Sequence, residues 1–239
     1  MARRDFQESL DALRSDVTEM GHLVLARLDD ALHALDAGDV DAAEAVIDGD
    51  AEINQLYLDL ESACIDLFAL QQPVASDLRF VAASFKILTD LERIGDLATN
   101  LAGYALAADS RYLPELDLTH IGARVHDLVA DAIEAYADND AAACREIDAR
   151  DDEIDALCHA ASERVVRDLI ERRAASGDSN GNDDGNGDEA GDPWDVEAVL
   201  DDVSRVLLTV RDLERVADHG VNIAARTLYA VDSDSELIY

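Results

Sequence analysis

Several residue types are scarce in this chain of 239 residues, and each scarcity excludes a class of protein. Proline occurs three times, aromatic residues make up 5% of the chain, and no alternating β-branched run is bounded by turns, so a β-sheet protein is not expected. No run approaches the roughly 18 apolar residues of a transmembrane helix. The cysteines Cys64, Cys144 and Cys158 form no CxxC motif, which predicts buried free thiols in a reducing cytosol.

Lysine is almost absent, because Lys86 is the only lysine among 19 basic residues, and 54 acidic residues give a net charge of −35. With basic side chains so far outnumbered by acidic ones, the chain is not expected to bind nucleic acid independently of sequence or to bind a membrane through a polybasic surface. At low salt this charge would repel itself, whereas molar salt shortens the Debye length to roughly 3 Å and screens the repulsion. The composition therefore predicts a halophile, specifically a haloarchaeon, with an acidic mesophilic protein as the alternative.

Catalytic signatures are also missing, since the chain contains no GxxxxGK[ST], GxGxxG, GxSxG or HExxH sequence. We therefore do not expect an enzyme. The start of the chain, MARRDFQESLDALRSD, lacks the apolar segment of a signal peptide. These features predict a soluble cytoplasmic protein that meets a membrane only through a partner.

Apolar residues recur at steps of three and four, which predicts an all-α protein built from long helices. In the first half of the chain the helices span residues 5–37 and 40–71, and a third begins at Ser76 or Asp77 and ends near residue 108. A turn at Gly38-Asp39 and a break at Pro73 separate them. Such short links favour antiparallel neighbours.

The chain then repeats this three-helix unit. At an offset of 101 residues, DAEIN (50–54) aligns with DDEID (151–155). At an offset of 122 residues, DLERIGDLATNLA (90–102) aligns with DLERVADHGVNIA (212–224). The change of offset places a 21-residue insertion in the second copy. We predict two tandem three-helix bundles over residues 5–110 and 115–230, with a solvated acidic loop at 175–193.

Carboxylates at one-turn spacing are the candidate functional groups, because stacked carboxylates repel unless a cation joins them. The third helix of each copy carries Glu, Asp and Asn at i, i+4 and i+8, and the second helix carries a matching pair. The predicted oxygen ligands are Asp50, Asn54, Glu92, Asp96 and Asn100 in copy one, and Asp151, Asp155, Glu214, Asp218 and Asn222 in copy two.

In so acidic a chain, any single pair of acids could have this spacing by chance. The repetition of the pattern in both copies favours the interpretation as metal ligands. Arg93 and Arg215 directly follow the glutamates, and we expect each to pair with the aspartate three residues before it or with the acidic cluster. His219 lies beside Asp218 and is a candidate addition to the second site. Glu19-x-x-His22 is a lone ExxH, whereas di-iron bundles use two, so a surface role for His22 is favoured.

The chain resembles the PhoU family of phosphate-transport regulators over nearly its whole length. The resemblance rests on the pattern from Phe6 to Val24, on GDVDAAEAVIDGDAEIN (38–54), on the linker QQPVASDLRF (71–80), and on LERIGDLATNLA (91–102) with LERVADHGVNIA (213–224). It implies tandem three-helix bundles whose E/DxxxD motifs bind multinuclear metal clusters. Asn54 stands where the second copy has an acid, and the second copy lacks the Pro-x-x-x-Asp-Leu linker.

The resemblance also implies a function without catalysis. Family members restrain phosphate uptake when phosphate is plentiful, acting on the ATPase and permease subunits of the phosphate ABC transporter, and in bacteria they silence a phosphate-signalling kinase. A homodimer is expected from the resemblance and the large helical surface. The bound ions are expected to be divalent or trivalent, among Fe, Mn, Mg, Ca and Zn, because carboxylate and amide ligands suit hard cations without fixing which one binds. The alternatives are an accessory of an ion-coupled phosphate permease and, from the stacked carboxylates and the lone ExxH, a metal-handling di-metal bundle.

Overall fold

A computed structural model describes residues 2–70, 75–107, 116–178 and 196–237 of the chain. Within those ranges it contains six α-helices and no strand. The helices are α1 (Ala2–Ala37), α2 (Val40–Leu70), α3 (Ala75–Leu106), α4 (Leu118–Asp138), α5 (Ala141–Asp178) and α6 (Val196–Asp232). The predicted all-α class is confirmed, and α1 to α3 begin and end within a few residues of the positions predicted from apolar spacing.

The turn between the first two helices of each copy is built in the same way. Gly38 and Asn139 occupy equivalent positions and have φ angles of 65° and 57°, a conformation that glycine adopts freely and asparagine tolerates. The next residues, Asp39 and Asp140, accept hydrogen bonds from the backbone N–H three residues further on, at 3.1 and 3.0 Å. These aspartates cap the start of α2 and α5.

The six helices form two three-helix bundles joined along two seams. In the first bundle α1, α2 and α3 pack against one another, and in the second α4, α5 and α6 do the same. The seams are formed by α1 with α4 and by α3 with α6, which leaves α2 and α5 on the outside. The α3–α6 seam is antiparallel, because Asp90 contacts His219 whereas Tyr104, further along α3, contacts Asp212.

One apolar core cluster runs through both bundles and draws residues from every helix. Two equivalent contacts at the α1–α4 seam show how closely the helices approach. A Cβ atom added at Gly21 would lie 3.0 Å from Ile133, and one added at Gly122 would lie 2.7 Å from Leu32. All three cysteines are buried and free, as predicted.

The acidic insertion predicted at residues 175–193 is only partly within the described ranges. Helix α5 continues to Asp178, so the first residues of that segment are helical rather than looped, and residues 179–195 lie outside the described residues. None of the described helices combines the length and the apolar character needed to cross a membrane.

Candidate functional site

Four of the predicted ligands come together where α5 packs on α6. Asp151 and Asp155 lie one turn apart on α5, and Glu214 and Asp218 lie one turn apart on α6. These four residues are called the second cluster below. Asp148, one turn before Asp151, adds a fifth carboxylate to the same region.

The second cluster is electrostatically strained. Burial, then Asp155 and Asp218, raise the pKa of Asp151 to about 7. Partial burial and Asp155 also raise the pKa values of Glu214 and Asp218. Within the described part of the chain, the buried Oδ1 atom of Asp151 has no hydrogen-bond partner. A cation would relieve both the repulsion and the missing partner.

The equivalent residues of the first copy, Asp50, Glu92 and Asp96, form the first cluster between α2 and α3. Burial and Asp96 raise the pKa of Glu92, while burial and Asp50 raise that of Asp96. Here, however, the aspartate on the outer helix is satisfied within the protein. Asn54 donates to Asp50 Oδ2 at 2.7 Å, and Thr99 donates to Asp50 Oδ1 at 3.3 Å.

Other predicted residues lie apart from the clusters or are engaged elsewhere. Asn222 donates across the α3–α6 seam to Asp90 Oδ1 at 3.4 Å, and His219 Nδ1 lies 2.9 Å from the same atom. Asn100 is exposed on α3, and among the described residues it forms no hydrogen bond with a carboxylate. His22 is exposed and lies 3.2 Å from Glu134, which supports the surface role.

The two arginines that follow the glutamates behave differently. Arg215 Nη1 lies 3.7 Å from Asp212 Oδ1, so the predicted pairing three residues back is confirmed in the second copy. Asp90 is instead paired with His219. Among the described residues Arg93 forms no hydrogen bond or ion pair, although its charge offsets part of the rise in the pKa values of Glu92 and Asp96.

The donor types fit a hard cation, although the side chains do not enclose one in this conformation. Among the described residues, no group of three or more His, Cys, Asp or Glu side chains is arranged to hold a metal ion. The fit rests on the oxygen chemistry of the second cluster and on the unpartnered, buried Asp151 Oδ1.

Sequence reasoning missed three residues beside the clusters. Thr99 follows Asp96 by three residues, and Asp148 precedes Asp151 by three, so helical spacing alone could have found both. Cys158 lies against the second cluster, because burial and the carboxylates, led by Glu214, raise the pKa of its thiol to about 12. No signal in the sequence marked this cysteine.

Both copies of the repeat match a known protein family. A family model described as the PhoU domain matches residues 17–105 and 118–227. The "Phosphate-specific transport system accessory protein PhoU homolog" of Pseudomonas putida is 32% identical over 231 residues, which is 95% of this chain and 81% of that protein. Its "homolog 1" counterpart from Methanothermobacter thermautotrophicus is 31% identical over 229 residues, covering 95% of this chain and 94% of that protein.

Solved structures share the fold. The crystal structure of PhoU from Pseudomonas aeruginosa aligns with a TM-score of 0.82 and 29% identity, over 96% of this chain and 100% of that one. The phosphate transport system regulatory protein PhoU from Streptococcus pneumoniae aligns with a TM-score of 0.80 and 28% identity, over 98% of this chain and 99% of that one. With both copies matched by the family model, the chain belongs to the PhoU family.

Proposed function

We propose that this protein is a non-enzymatic accessory regulator of phosphate uptake, which restrains the phosphate ABC transporter when phosphate is plentiful. The observation that carries the proposal is the match of both copies to the PhoU domain. Relatives that span nearly the whole chain are named as accessory proteins of the phosphate-specific transport system. We place the protein in the cytoplasm, in contact with the transporter's ATPase or permease subunits or with a phosphate-signalling protein.

Affinity capture from phosphate-replete cells tests the partner. Tagged protein is expected to recover transporter subunits, and deletion of its gene is expected to raise phosphate uptake in replete medium. Recovery of an ion-coupled phosphate permease instead would identify that system as the partner. Failure to recover any phosphate transporter, together with unchanged uptake in the deletion strain, would overturn the proposal.

We further propose that the two carboxylate clusters bind divalent or trivalent metal ions, among Fe, Mn, Mg, Ca and Zn. The second cluster supports this most strongly, because burial and neighbouring carboxylates raise the pKa values of Asp151, Glu214 and Asp218, and one buried oxygen has no partner among the described residues. A bound metal would supply positive charge that neutralises the clusters. It would also tie α5 to α6 and α2 to α3, so the regulator would be stiffer when loaded.

Paired substitutions test the metal ligands. Glu214→Ala with Asp218→Ala is expected to remove metal from the second site and leave the first site loaded, as measured by elemental analysis of purified protein. Glu44→Ala with Asp48→Ala is the matched control, because these exposed acids have the same one-turn spacing on α2. Unchanged metal content in the Glu214/Asp218 variant would show that the ligand assignment is wrong.

A metal-handling bundle is the competing function, and stoichiometry separates the two. A regulator is expected to hold a small fixed number of ions per chain without oxidising them. Progressive iron loading, or turnover in an oxidation assay, would favour the metal-handling bundle.

We infer that the protein works in molar salt as a homodimer in a haloarchaeal cytoplasm. The net charge of −35 with one lysine supports this adaptation, because only strong screening makes such a surface tolerable. The melting temperature is expected to rise between low salt and molar KCl, and light scattering in molar KCl is expected to give twice the chain mass. A melting temperature that is independent of salt would contradict the halophilic assignment.

A further inference from the structure

A cavity of about 590 Å³ lies between the two bundles, where the C-terminal ends of α1 and α3 meet the start of α4 and the first half of α6. This volume is within the range of roughly 300 to 1,000 Å³ that is typical of small-molecule sites. None of the described residues that line it belongs to either carboxylate cluster. Its walls are mainly apolar and include Leu32, Leu35, Ala105, Leu118, Val206 and Leu213.

The duplication provides the same position in a filled form. The offset of 101 residues pairs Leu35 on α1 with Tyr136 on α4, and the offset of 122 residues pairs Val206 on α6 with Ser84 on α3. Leu35 and Val206 both line the cavity. Tyr136 and Ser84 are instead both buried, and their hydroxyl oxygens lie 2.8 Å apart. The cavity is therefore the counterpart of a packed region of the core.

Two aromatic rings account for the difference between these positions. In the packed region Phe80 stacks on Tyr136, with 6.2 Å between ring centroids and 10° between ring planes. The guanidinium carbon of Arg14 lies 4.6 Å from the centroid of the Phe80 ring, a cation–π contact. Leu35 and Asp202 are the equivalents of Tyr136 and Phe80. Space that two rings fill in one half is thus left open in the other.

The charged residues around the cavity favour a cation. Asp29, Asp36 and Asp127 line it and are exposed, so they lie at its mouth. Arg205 also lines it, but donates to Oδ1 of the buried Asp202 at 2.9 Å, which balances its charge. The buried Oδ2 atom of Asp202 has no hydrogen-bond partner among the described residues. A cleft lined by charge of one sign concentrates ligands of the opposite sign.

We propose that this cavity binds a small organic cation with an aromatic body, of the arylalkylamine class. The ring packs between the leucines, and the ammonium group lies among the carboxylates of the mouth. Such a ligand supplies to the second half the ring and the positive charge that Tyr136, Phe80 and Arg14 supply to the first. The site is independent of the metal and transporter proposals above.

Calorimetric titration of the full chain in molar KCl tests the ligand class, with phenethylamine, phenethyl alcohol and phenylacetate as probes of equal ring and different charge. Saturable binding of phenethylamine is expected. The alcohol is expected to bind about threefold more weakly, because a solvent-exposed ion pair contributes little, and phenylacetate most weakly. Absence of saturable phenethylamine binding, or phenylacetate binding as tight as that of the amine, would overturn the proposal.

A cavity-filling variant tests the location. Leu35→Tyr introduces the residue that fills the equivalent position, and is expected to weaken phenethylamine binding at least about tenfold by occupying the ring's place. Its melting temperature is expected to equal or exceed that of the wild type, because filling a cavity adds packing contacts. Val40→Tyr is the control, because Val40 is exposed on α2 outside the cavity. It is expected to bind the amine like the wild type.

A charge variant tests the mouth without changing the apolar walls. Asp29→Asn with Asp127→Asn replaces two exposed carboxylates, so it is expected to fold and to bind phenethylamine and phenethyl alcohol with equal affinity. This variant keeps the site testable if Leu35→Tyr does not fold. Wild-type affinity in folded Leu35→Tyr, or an undiminished preference for the amine in the Asp29/Asp127 variant, would show that the cation is not bound here.

Discussion

The two carboxylate clusters occupy equivalent places in the two copies, yet their surroundings differ. In the first copy, Asp50 accepts hydrogen bonds from Asn54 and Thr99. In the second, the residues equivalent to these donors are Asp155 and Val221, so the buried oxygen of Asp151 is left without a partner among the described residues. Asp148 replaces an apolar residue, Ile47 in the first copy, and adds further negative charge.

This difference separates a site whose carboxylate oxygens are hydrogen-bonded within the protein from one in which a buried carboxylate oxygen has no partner among the described residues. A carboxylate that accepts two internal hydrogen bonds is stable without a ligand, whereas a buried carboxylate among other carboxylates is not. We therefore expect the second cluster to bind metal more tightly than the first, and to lose more stability than the first when metal is withdrawn.

The largest expected effect comes from exchanging the residues that distinguish the clusters. Asp155→Asn is expected to weaken metal binding at the second site by about 100-fold. It removes one carboxylate from the proposed ligands, and it lowers the charge repulsion in the metal-free protein that a bound metal would otherwise neutralise. Asn54→Asp is expected to strengthen the first site, and calorimetric titration of each variant measures both changes. Equal affinities of the two sites in the wild type would contradict the comparison.

The next effect concerns pH in metal-free protein. The pKa of Asp151 is raised from 3.8 to about 7 in the folded state, so between these values the native state binds more protons than the unfolded state. The stability contributed by this group is therefore present at acid pH and is lost as pH rises through about 7. Asp151→Asn is expected to gain stability over the wild type as pH rises across this window.

Urea unfolding in chelator at a series of pH values measures that gain. Asp48→Asn is the control, because this exposed acid on α2 is expected to change stability by less than about 0.5 kcal/mol at every pH. A constant difference between Asp151→Asn and the wild type from acid to neutral pH would show that Asp151 is not strained.

In the first cluster, the equivalent substitution is expected to have a smaller effect on stability, and of opposite sign to that of Asp151→Asn. Asp50→Asn loses acceptor capacity for Asn54 or Thr99 and is expected to destabilise metal-free protein by about 1 kcal/mol. Asp151→Asn, at the equivalent position, is expected to stabilise it above pH 7. Parallel urea titrations in chelator compare the two, and the same sign for both would remove the distinction between the clusters.

The smallest effect contrasts the two halves of the α1–α4 seam. Gly21→Ala places Cβ at 3.0 to 3.2 Å from three atoms of Ile133, a buried β-branched side chain with little freedom to move. Gly122→Ala meets the tip of Leu32 at 2.7 Å, but Leu32 borders a cavity of about 590 Å³ and can turn into it. We expect Gly21→Ala to lower the free energy of unfolding by about 1 kcal/mol more than Gly122→Ala. Thermal unfolding of both variants measures the difference.

Much of the fold was predictable because apolar residues recur along each long helix at steps of three and four. The turns were also predictable, since Gly38-Asp39 and its equivalent Asn139-Asp140 supply positive φ and a cap at the same offset. The end of α5 was not, because the Ala-Ser-Gly-Asp sequence at 175–178 resembles a loop in composition and yet continues the helix.

The duplicated spacing predicted which carboxylates lie together in each copy, but the hydrogen bonds and ion pairs of the neighbouring residues were not predictable. Nothing in the sequence shows that Asn222 and His219 contact Asp90 across the seam, because that pairing depends on how α3 crosses α6. For the same reason, the sequence suggested an equivalent aspartate partner for Arg93 and for Arg215, and only Arg215 has it.

The apolar core that runs through all six helices has a consequence for unfolding. A duplicated chain whose halves met only at a polar surface could open one half at a time. Here the halves share the buried residues of two seams, so opening one exposes apolar surface on the other. The whole chain is therefore expected to melt in a single cooperative transition, and the slowest amide protons of α1, α3, α4 and α6 are expected to report one common free energy of opening.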